Sequence, residues 1–487
     1  MTLIDPTVFD TKIYLDGAWV QGAGEPIDVV EPATGETLGR LGGASPEDVS
    51  RATQTALVAQ REWAALPHTE RAAVLHRAAD LWDRHAEEIG AWNTREVGAI
   101  GPMAAFAVRV AAAECREAGA LPSHPLGEIL ATEKPRLSMA QRVPVGVVGV
   151  ISPFNVPIIL GLRAIAPALA LGNAVLLKPD PRTAVTGGVT MVRIFEEAGL
   201  PAGLLQLLPG GADVGEALVT EPDVSVIAFT GSTAAGRSVG ELAGRHLKRA
   251  HLELGGNSAF VVLDDADVDR AVNLATWGAF LHQGQICMTI GRHLVHESLY
   301  EEYVEKLSAK ADSMVVGDPS ADQVHLGPVI DEGQRDRIVD LVERSVEMGA
   351  DLRAGGTHDG LFVRPTVLAS PPLDAPAYCD EVFGPVASVV PFANDDEAVK
   401  LAGAGQYGLS LGVVTSQAMR GLALAERIPS GIVHINDQTV DDEANSPFGG
   451  VGASGTGSRH GGAAANIEAF TETRWVTMRA EPGEYPL

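Results

Sequence analysis

The chain has 487 residues, of which 46% are hydrophobic, 20% are charged and only 5% are aromatic. This length and composition are typical of a globular protein with two sizeable cores and exclude a disordered or fibrous chain. The formal net charge of -27 argues against a nucleic-acid partner, which requires a basic face, and against binding to anionic membranes.

The N-terminal sequence, the length of the apolar runs and the cysteines indicate a cellular location. Residues 1–10 have no positively charged region before an apolar stretch, so they do not resemble a secretory signal. No run reaches the roughly 18 apolar residues that a membrane span requires. Cys115, Cys287 and Cys379 are odd in number and widely spaced, which favours reduced thiols over a disulfide framework or a C-x-x-C metal site. We expect a cytoplasmic protein without a bound metal.

Helices predominate in the first 132 residues. Residues 12–20 predict a strand, followed by a turn region rich in Pro and Gly. Ala, Leu and Val then recur at intervals of three and four residues and predict helices over residues 46–63, 68–95 and 104–118.

Two short strands are candidates for an arm. Residues 137–143 predict a strand that could leave the domain as one side of a hairpin. Residues 469–478 are also strand-like and could pair with it, within the subunit or across a dimer.

Strands and helices alternate from residue 145 onwards. The predicted strands are residues 145–152, 174–178, 204–208, 226–230, 258–263, 291–296 and 386–392. The predicted helices are residues 158–171, 185–197, 216–220, 234–242, 268–280, 299–316, 333–348 and 395–402. Such repeated units predict parallel sheets with helices on both faces, which bind ligands at the carboxyl ends of their strands.

Cys287 lies in the sequence F-L-H-Q-G-Q-I-C-M-T-I-G-R of residues 280–292. A cysteine attacks as the thiolate, so it needs partial exposure and a stabilising environment. Gly284 and the glutamine after it would allow a tight turn that brings the sulfur to a surface. A buried structural thiol is the alternative, and we assign that role to Cys115. The acidic neighbours of Cys379 disfavour a thiolate there.

Glu253 and Asn155 are candidates for acid–base chemistry and charge stabilisation. Glu253 lies between two leucines before Gly-Gly, and burial there would raise its pKa, which suits a general base. The alternative is a glutamate that merely ends a strand. Asn155, in P-F-N-V-P, offers a neutral N–H donor of the type that holds a developing oxyanion. It could also cap the helix that begins near Val156, and both roles could coexist.

Three other segments have features of a cofactor site. G-S-T-A-A-G (231–236) follows a strand and opens a helix, so Ser232 and the backbone N–H groups could hold a phosphate or simply cap the helix. Lys178 could reach ribose hydroxyls or be an ordinary surface lysine. Glu381, in E-V-F-G-P, could hold a second ribose while Phe383 covers a ring, or could be a solvated acid before a turn.

Together these segments resemble the aldehyde dehydrogenase superfamily, from about residue 12 to the C-terminus. The resemblance implies an α/β fold with two parallel-sheet α/β domains plus a small β oligomerisation arm that builds a homodimer or homotetramer. The implied nicotinamide-cofactor-binding domain is residues 1–124 and 145–252, the catalytic domain is residues 253–450, and the arm is residues 125–144 and 451–487.

The same resemblance implies a covalent mechanism for oxidising an aldehyde to its acid. Cys287 would attack the aldehyde, and Asn155 and the backbone N–H of Cys287 would hold the oxyanion. Hydride would then pass to the nicotinamide, and Glu253 would activate the water that hydrolyses the thioester.

The resemblance also implies a set of cofactor contacts. Lys178 and Glu381 would hold the two riboses, with Ser232 near the pyrophosphate and Phe383 beside the nicotinamide. Further implied contacts are Ile151, Ser152, Pro153, Phe154, Gly211, Phe229, Gly231, Gly236 and Leu254.

Two positions depart from the family pattern. Many NAD-selective relatives carry a glutamate three residues after the lysine, where it binds the adenosine ribose; Pro181 stands there in this chain, with Arg182 beside it. NAD is favoured as the cofactor and NADP stays possible. Many relatives also have a lysine at the position of Ala164 that helps to orient the general base, so in this chain another group would have to support Glu253.

The substrate is indicated by a narrower resemblance. Residues 178–183, 434–440 and 447–450 resemble the benzaldehyde and vanillin dehydrogenase branch. Arg163 could bind a ring hydroxyl or a carboxylate, or could pair with a neighbouring acid. An apolar wall near the sulfur, which suits an aromatic aldehyde better than a succinate-like anion, is expected from Leu160, Ile286, Met288 and Phe448.

Three alternatives concern the substrate, the group that resolves the thioester, and whether the chain is an enzyme at all. The substrate could be an aliphatic aldehyde or a semialdehyde. CoA rather than water could resolve the thioester, but that route does not need a water-activating base such as Glu253. A non-catalytic protein on the same scaffold is disfavoured because Cys287, Glu253 and Asn155 are all present.

Overall fold

The computed structural model describes residues 2–485, which contain two seven-stranded sheets packed against helices and a separate three-stranded sheet. Two α/β units and a small β arm are thereby confirmed as the architecture. The predicted domain limits at residues 1 and 487 lie outside the described residues.

The helices cover most of the first 120 residues and then alternate with strands. They are α1 (Pro6–Phe9), α2 (Pro46–Ala65), α3 (His68–Arg84), α4 (Ala86–Val97), α5 (Gly101–Ala120), α6 (Pro157–Ala170), α7 (Thr190–Glu197), α8 (Ala212–Thr220), α9 (Thr233–Arg245), α10 (Val268–Phe280), α11 (Tyr300–Ser313), α12 (Glu332–Glu347), α13 (Pro376–Cys379), α14 (Asp395–Ala402), α15 (Ala418–Ala425) and α16 (Ala463–Phe470).

The strands are short, as is usual in α/β proteins. They are β1 (Lys12–Leu15), β2 (Ala18–Gln21), β3 (Gly24–Val30), β4 (Thr37–Gly43), β5 (Gly127–Ile129), β6 (Leu137–Pro144), β7 (Val147–Ile151), β8 (Ala174–Lys178), β9 (Leu205–Leu207), β10 (Val224–Thr230), β11 (Arg249–Glu253), β12 (Ser258–Val262), β13 (Ile290–His296), β14 (Asp351–Ala354), β15 (His358–Asp359), β16 (Phe362–Val363), β17 (Thr366–Ala369), β18 (Val386–Phe392), β19 (Tyr407–Gly408), β20 (Ser410–Val414), β21 (Ile432–Ile435), β22 (Val451–Gly452) and β23 (Thr471–Met478).

The first sheet has the strand order β11-β10-β7-β8-β9-β1-β2. Its strands from β7 to β11 pair in parallel, as the alternating pattern predicts. The single strand predicted over residues 12–20 is wrong, because the chain reverses at Asp16 and Gly17, which have φ values of 51° and 77°. An Asp-Gly pair with positive φ is a typical tight hairpin turn, so β1 and β2 form an antiparallel edge.

The second sheet has the order β14-β17-β18-β13-β12-β20-β21 and is parallel except for β14. The chain passes directly from β11, in the first sheet, to β12, in the second. Residues 254–257 join the two strands, so a residue at the end of β11 lies where the two sheets approach each other.

One predicted helix proved to be two. The helix predicted over residues 68–95 is divided into α3 and α4 at His85, whose φ and ψ are -101° and 17°. The ring of His85 lies between the carboxylates of Glu88 and Glu197, at 3.6 and 3.7 Å. The apolar pattern continues through this break and therefore does not reveal it.

The helix predicted over residues 185–197 begins as a π-helix at Val185–Val189 before α7. The carboxylate of Glu96 accepts hydrogen bonds from the backbone N–H groups of Val185 and Thr186, at 2.9 and 2.6 Å. A Cβ at Gly187 would lie 2.7 Å from Pro157, so this wide turn requires glycine, which has no side chain, at position 187.

The C-terminal strand pairs within the subunit. β23 runs antiparallel to β6 over eight residue pairs, and β5 completes the three-stranded arm, which confirms the first of the two predicted pairings. Ile129, Trp475 and Met478 expose apolar side chains on this arm. Among the described residues, none of the helices has the length and apolar character that crossing a lipid bilayer requires.

Candidate active site

A cleft of about 830 Å³ lies beside the carboxyl ends of β7, β8 and β10. Ile151, Lys178 and Thr230 line it from the first sheet, and Cys287 and Glu381 line it from the opposite side. This is where open parallel sheets bind ligands. A molecule in the cleft would therefore contact both halves of the chain.

The loop that carries Cys287 follows α10 and has an unusual backbone. His282, Gln283 and Gly284 have φ values of 54°, 58° and 65°, so the expected turn at Gly284 includes two residues that rarely adopt this conformation. The Nε2–H of His282 donates to the carbonyl oxygen of Asn155 at 2.7 Å, and Gln283 Nε2 donates to that of Gly98 at 2.9 Å. Buried side-chain hydrogen bonds thus hold the strained loop.

The Cys287 sulfur is half-buried at the cleft wall, which agrees with the predicted partial exposure. Burial raises the pKa of its thiol to about 12; the carboxyls of Glu381 and Glu253 add to this rise, and Arg163 opposes it. The expected thiolate-stabilising environment is therefore not supplied by the protein alone. Burial therefore disfavours the thiolate, and attack requires transfer of the thiol proton.

Asn155 reaches the cysteine loop from the turn before α6. Its side chain is buried, lines the cleft with Cys287, and donates a hydrogen bond from Nδ2 to the carbonyl oxygen of Gln285 at 2.7 Å. The predicted helix-capping alternative is wrong, because the N-cap is Val156 and no side chain caps the helix. A carboxamide has two N–H donors, so one remains for a ligand in the cleft.

Glu253 ends β11 and is only 4% exposed. Neither carboxyl oxygen has a hydrogen-bond partner. Burial raises the pKa of Glu253 well above its ordinary value, and Arg459 and Arg163 oppose that rise. The predicted buried carboxyl is thus confirmed, and its raised pKa suits a general base.

Arg163 has acidic partners, as one of its predicted alternatives required. Its Nε donates to Glu114 at 3.3 Å, and its Nη2 forms an ion pair with Asp442. The guanidinium carbon lies 4.6 Å from the centre of the Phe448 ring. Sequence alone could not find Glu114 and Asp442, which are 49 and 279 positions away.

The five expected substrate-pocket residues divide into two groups. Leu160, Arg163 and Phe448 line a small cavity together with Glu253. Ile286 and Met288 flank Cys287 and pack with Phe448 in one apolar cluster. Leu160 also lines the main cleft.

Most of the expected cofactor residues line the main cleft. Gly211 and Gly236 do not: Gly211 is the N-cap of α8, and a Cβ at Gly236 would collide with Leu254. The cofactor contacts of these two glycines stay predictions. The expected residues that do line the cleft are Ile151, Ser152, Pro153, Phe154, Lys178, Phe229, Gly231, Ser232, Leu254, Glu381 and Phe383.

Lys178 is not the surface lysine that its alternative described, whereas Glu381 is half-buried at the cleft wall. Lys178 is 8% exposed, and burial lowers the pKa of its ammonium. Glu381 accepts a hydrogen bond from the N–H of Gly256 at 2.8 Å, and burial raises its pKa to about 7. A Cβ at Gly255 would collide with the Glu381 carboxylate, so the glycine pair lets that carboxylate approach the backbone.

The groups in the cleft fit a dinucleotide. Ser232 caps α9 by accepting a hydrogen bond from the N–H of Ala235 at 3.3 Å, which places a helix N-terminus in the cleft wall for a phosphate. A Cβ at Gly231 would lie 2.7 Å from the Phe229 ring, so the backbone there can be approached closely. Val219 on α8 and Val239 on α9 add apolar walls for a flat ring.

Arg182 also lines the cleft, although the sequence singled it out only as a neighbour of Pro181. It donates to Asp180 at 2.9 and 2.8 Å and to Asp331 at 2.7 Å, and it stacks 4.2 Å from the Phe154 ring centre. Two carboxylates thus neutralise this cation. Cleft-lining residues that the sequence analysis missed include Asp180, Gln334, Arg337 and Tyr407.

Comparisons with known proteins agree with this geometry. The sequence profile of the Aldehyde dehydrogenase family matches residues 19–476. A vanillin dehydrogenase of an Amycolatopsis species is 62% identical over 486 residues and covers 100% of both chains. A benzaldehyde dehydrogenase [NAD(+)] of Pseudomonas putida is 48% identical over 96% of both chains. The crystal structure of a salicylaldehyde dehydrogenase from Pseudomonas putida G7, complexed with salicylaldehyde, has a TM-score of 0.94 at 34% identity and matches 98% of this chain and 99% of that one.

Proposed function

We propose that this chain, which belongs to the aldehyde dehydrogenase family, oxidises aromatic aldehydes of the benzaldehyde or vanillin type to carboxylic acids with NAD. The observation that carries the proposal is the position of the Cys287 sulfur. It lies in the wall of a dinucleotide-sized cleft, beside Asn155 and in front of an apolar cluster.

The first step joins the Cys287 sulfur to the aldehyde carbon. The sulfur gives up its proton as the carbonyl oxygen gains charge, and the free N–H of Asn155 stabilises that oxygen. Because burial raises the pKa of the thiol to about 12, a base must accept this proton. Cys287 is partly exposed at the cleft, so this proton passes to solvent water, and Glu253 stays available as the base of the second stage.

The second stage produces the acid. A nicotinamide cofactor, held by Lys178, Glu381 and Phe383, would supply the hydride acceptor. Once the former aldehyde carbon has lost its hydride, Cys287 carries a thioester. Glu253 then removes a proton from a water that attacks this thioester. The carbon–sulfur bond breaks, the acid leaves, and the sulfur takes up the proton that Glu253 holds. The apolar cluster around Cys287 limits access of other water to the thioester.

The charges in the cleft favour NAD over NADP. The residues near the Lys178 ammonium include Asp180 and Asp213, whose charges act on its pKa. Arg182, the cation that could otherwise bind a 2′-phosphate, is neutralised by Asp180 and Asp331. An additional phosphate would therefore meet net negative charge.

An aromatic substrate fits the residues around the sulfur better than an anionic one. Ile286, Met288, Leu409 and Phe448 form an apolar cluster beside Cys287. The nearby cation, Arg163, is paired with Glu114 and Asp442, so a succinate-like carboxylate would have to compete with two acids for it. The similarity of this chain to a vanillin dehydrogenase and a benzaldehyde dehydrogenase supports this assignment.

A substrate panel tests the proposal. Benzaldehyde, vanillin, salicylaldehyde, hexanal and succinic semialdehyde would be compared by kcat/KM with NAD and with NADP, with and without CoA. We expect the aromatic aldehydes and NAD to give the highest values, and CoA to have no effect. A highest value for succinic semialdehyde would refute the aromatic assignment, and a requirement for CoA would refute hydrolysis.

We further propose the domain division that the resemblance implied, with a cofactor-binding unit of residues 1–124 and 145–252, a catalytic unit of residues 253–450, and an arm of residues 125–144 and 451–487. The division is supported by the two large sheets, because one is built from β1, β2 and β7 to β11, and the other is built from strands that follow β11. Exposed Trp475 and Ile129 on the arm support assembly into a homodimer or homotetramer. Three free cysteines support a cytoplasmic location.

A further inference from the structure

A small cavity lies behind the main cleft, next to the proposed general base. It provides about 10 Å³ for the centre of a water molecule, which is about the minimum that one buried water requires. Ile151, Leu160 and Thr230 line both this cavity and the main cleft. Glu253 lines the small cavity, so its carboxyl is joined to the reaction site through a shared wall.

Polar atoms without partners surround this cavity. Both carboxyl oxygens of Glu253, Nη1 of Arg163 and Nδ1 of His460 are buried and have no hydrogen-bond partner. Buried polar atoms nearly always have one. Three unpartnered side chains around a space of one water's size indicate that a small polar molecule satisfies them.

We propose that the cavity binds one water molecule, which Arg163 and Glu253 share, and that Arg163 is thereby a positioning residue for the general base. The water accepts a hydrogen bond from Nη1 of Arg163 and donates one to the carboxylate of Glu253. A guanidinium has no proton acceptor, so Arg163 orients the carboxylate and favours its charged form without taking its proton.

The structure shows why Arg163 can do this. Its Nε is bonded to Glu114, its Nη2 is paired with Asp442, and its plane stacks on Phe448. These contacts leave Nη1 without a partner in a residue that lines the cavity. Ala164, the next residue along α6, also lines the cavity but has no polar side chain. Arg163 therefore orients the Glu253 carboxylate, which the apolar side chain of Ala164 cannot do.

The inference predicts a pH effect with a definite direction. Deacylation requires the Glu253 carboxylate, so its rate rises as the pH passes the pKa of Glu253. Loss of Arg163 removes a nearby positive charge and raises that pKa, so the rise moves to higher pH. The charged and titratable groups around Glu253 are Arg163 from α6, Arg459 and His460 from the segment before α16, Cys287 from its loop, and, behind Arg163, Glu114 and Asp442.

The experiment compares Arg163→Gln, Arg163→Lys and Glu114→Gln. In Arg163→Gln we expect the first-turnover burst of NADH to keep its amplitude, while the pH midpoint of deacylation rises by about 1 to 3 units, the usual effect of one neighbouring charge. Arg163→Lys should restore part of the shift. Glu114→Gln is the matched contrast, because it keeps the Arg163 guanidinium and removes a carboxylate that opposes its charge, at a residue that does not line the cavity; we expect a midpoint that does not rise.

Two outcomes would overturn the proposal. One is an unchanged midpoint in folded Arg163→Gln, which would leave Arg163 with a purely structural role. The other is loss of the burst together with a higher KM for hydroxylated aldehydes, which would make Arg163 a substrate contact.

Diffraction from the unmodified protein tests the water site even where Arg163→Gln does not fold. An ordered water within hydrogen-bond distance of Arg163 Nη1 and Glu253 supports the proposal, and a dry cavity refutes it. The positioning role rests on the proposed function. If the unmodified protein forms no NADH with any aldehyde, the function fails, whereas the diffraction result still decides the water site.

Discussion

Replacing Glu253 by Gln tests the proposed general base with little change of shape. The side chain is 4% exposed and neither carboxyl oxygen has a well-formed hydrogen bond, so an amide of the same size weakens only the contact with the backbone N–H of Gly450. General-base catalysis contributes about 10²- to 10⁴-fold. We therefore expect the steady-state rate to fall by at least about 100-fold, while the burst of NADH from the first turnover remains.

The same Glu253→Gln substitution, which lowers activity, should not lower the stability of the folded protein. Burial raises the pKa of Glu253 in the folded protein, so above its ordinary pKa the ionised form favours the unfolded chain, and stability is lost as pH rises. The neutral amide removes this effect. We expect the melting temperature of Glu253→Gln at pH 8 to be unchanged or higher than that of the unmodified protein.

Stopped-flow absorbance of NADH, followed by the steady-state rate, measures both phases. Glu96→Gln is the matched control, because Glu96 is also a buried glutamate whose pKa is raised, to about 7, and it does not line the cleft. We expect it to lower the melting temperature and preserve turnover, since its carboxylate holds the backbone of Val185 and Thr186. A steady-state rate for Glu253→Gln within tenfold of the unmodified enzyme, or a lost burst, would refute the assigned role.

Four other changes test separate parts of the site. Cys287→Ala should abolish turnover and leave NAD binding nearly intact by calorimetry; residual turnover would refute the covalent mechanism. Gly256→Ala places a Cβ against the Cys287 carbonyl oxygen, so kcat should fall by about 100-fold, as for a nucleophile displaced by about 1 Å; an unchanged kcat would contradict this. Asp331→Asn removes one of two carboxylates that neutralise Arg182, so the ratio of kcat/KM for NADP to that for NAD should rise roughly fivefold, the effect of ~1 kcal/mol between exposed charges; a constant ratio would exclude Arg182 from cofactor choice. Trp475→Asp places a charge on the exposed face of the arm and should yield a smaller species in size-exclusion chromatography, whereas an unchanged elution volume would remove the arm from the interface.

Several features of the molecule could be predicted from the sequence because they depend on local spacing. The helix over residues 268–280 and the strand over residues 386–392 were predicted at the bounds that the structure has. Glycines next to Cys287 and Glu253 indicated close turns, and the leucines around Glu253 indicated burial. Backbone preferences and the period of apolar residues act over a few positions, so they can be read along the chain.

The electrostatic state of the site was decided only by the tertiary structure. The pKa of Cys287 depends on burial and on Glu381, 94 positions further along the chain. Arg182 is neutralised by Asp331, 149 positions away, and Arg163 is held by Asp442, 279 positions away. Charge interactions depend on distance in space and on exclusion of water. Both are properties of the packed molecule, and no spacing within one segment determines them.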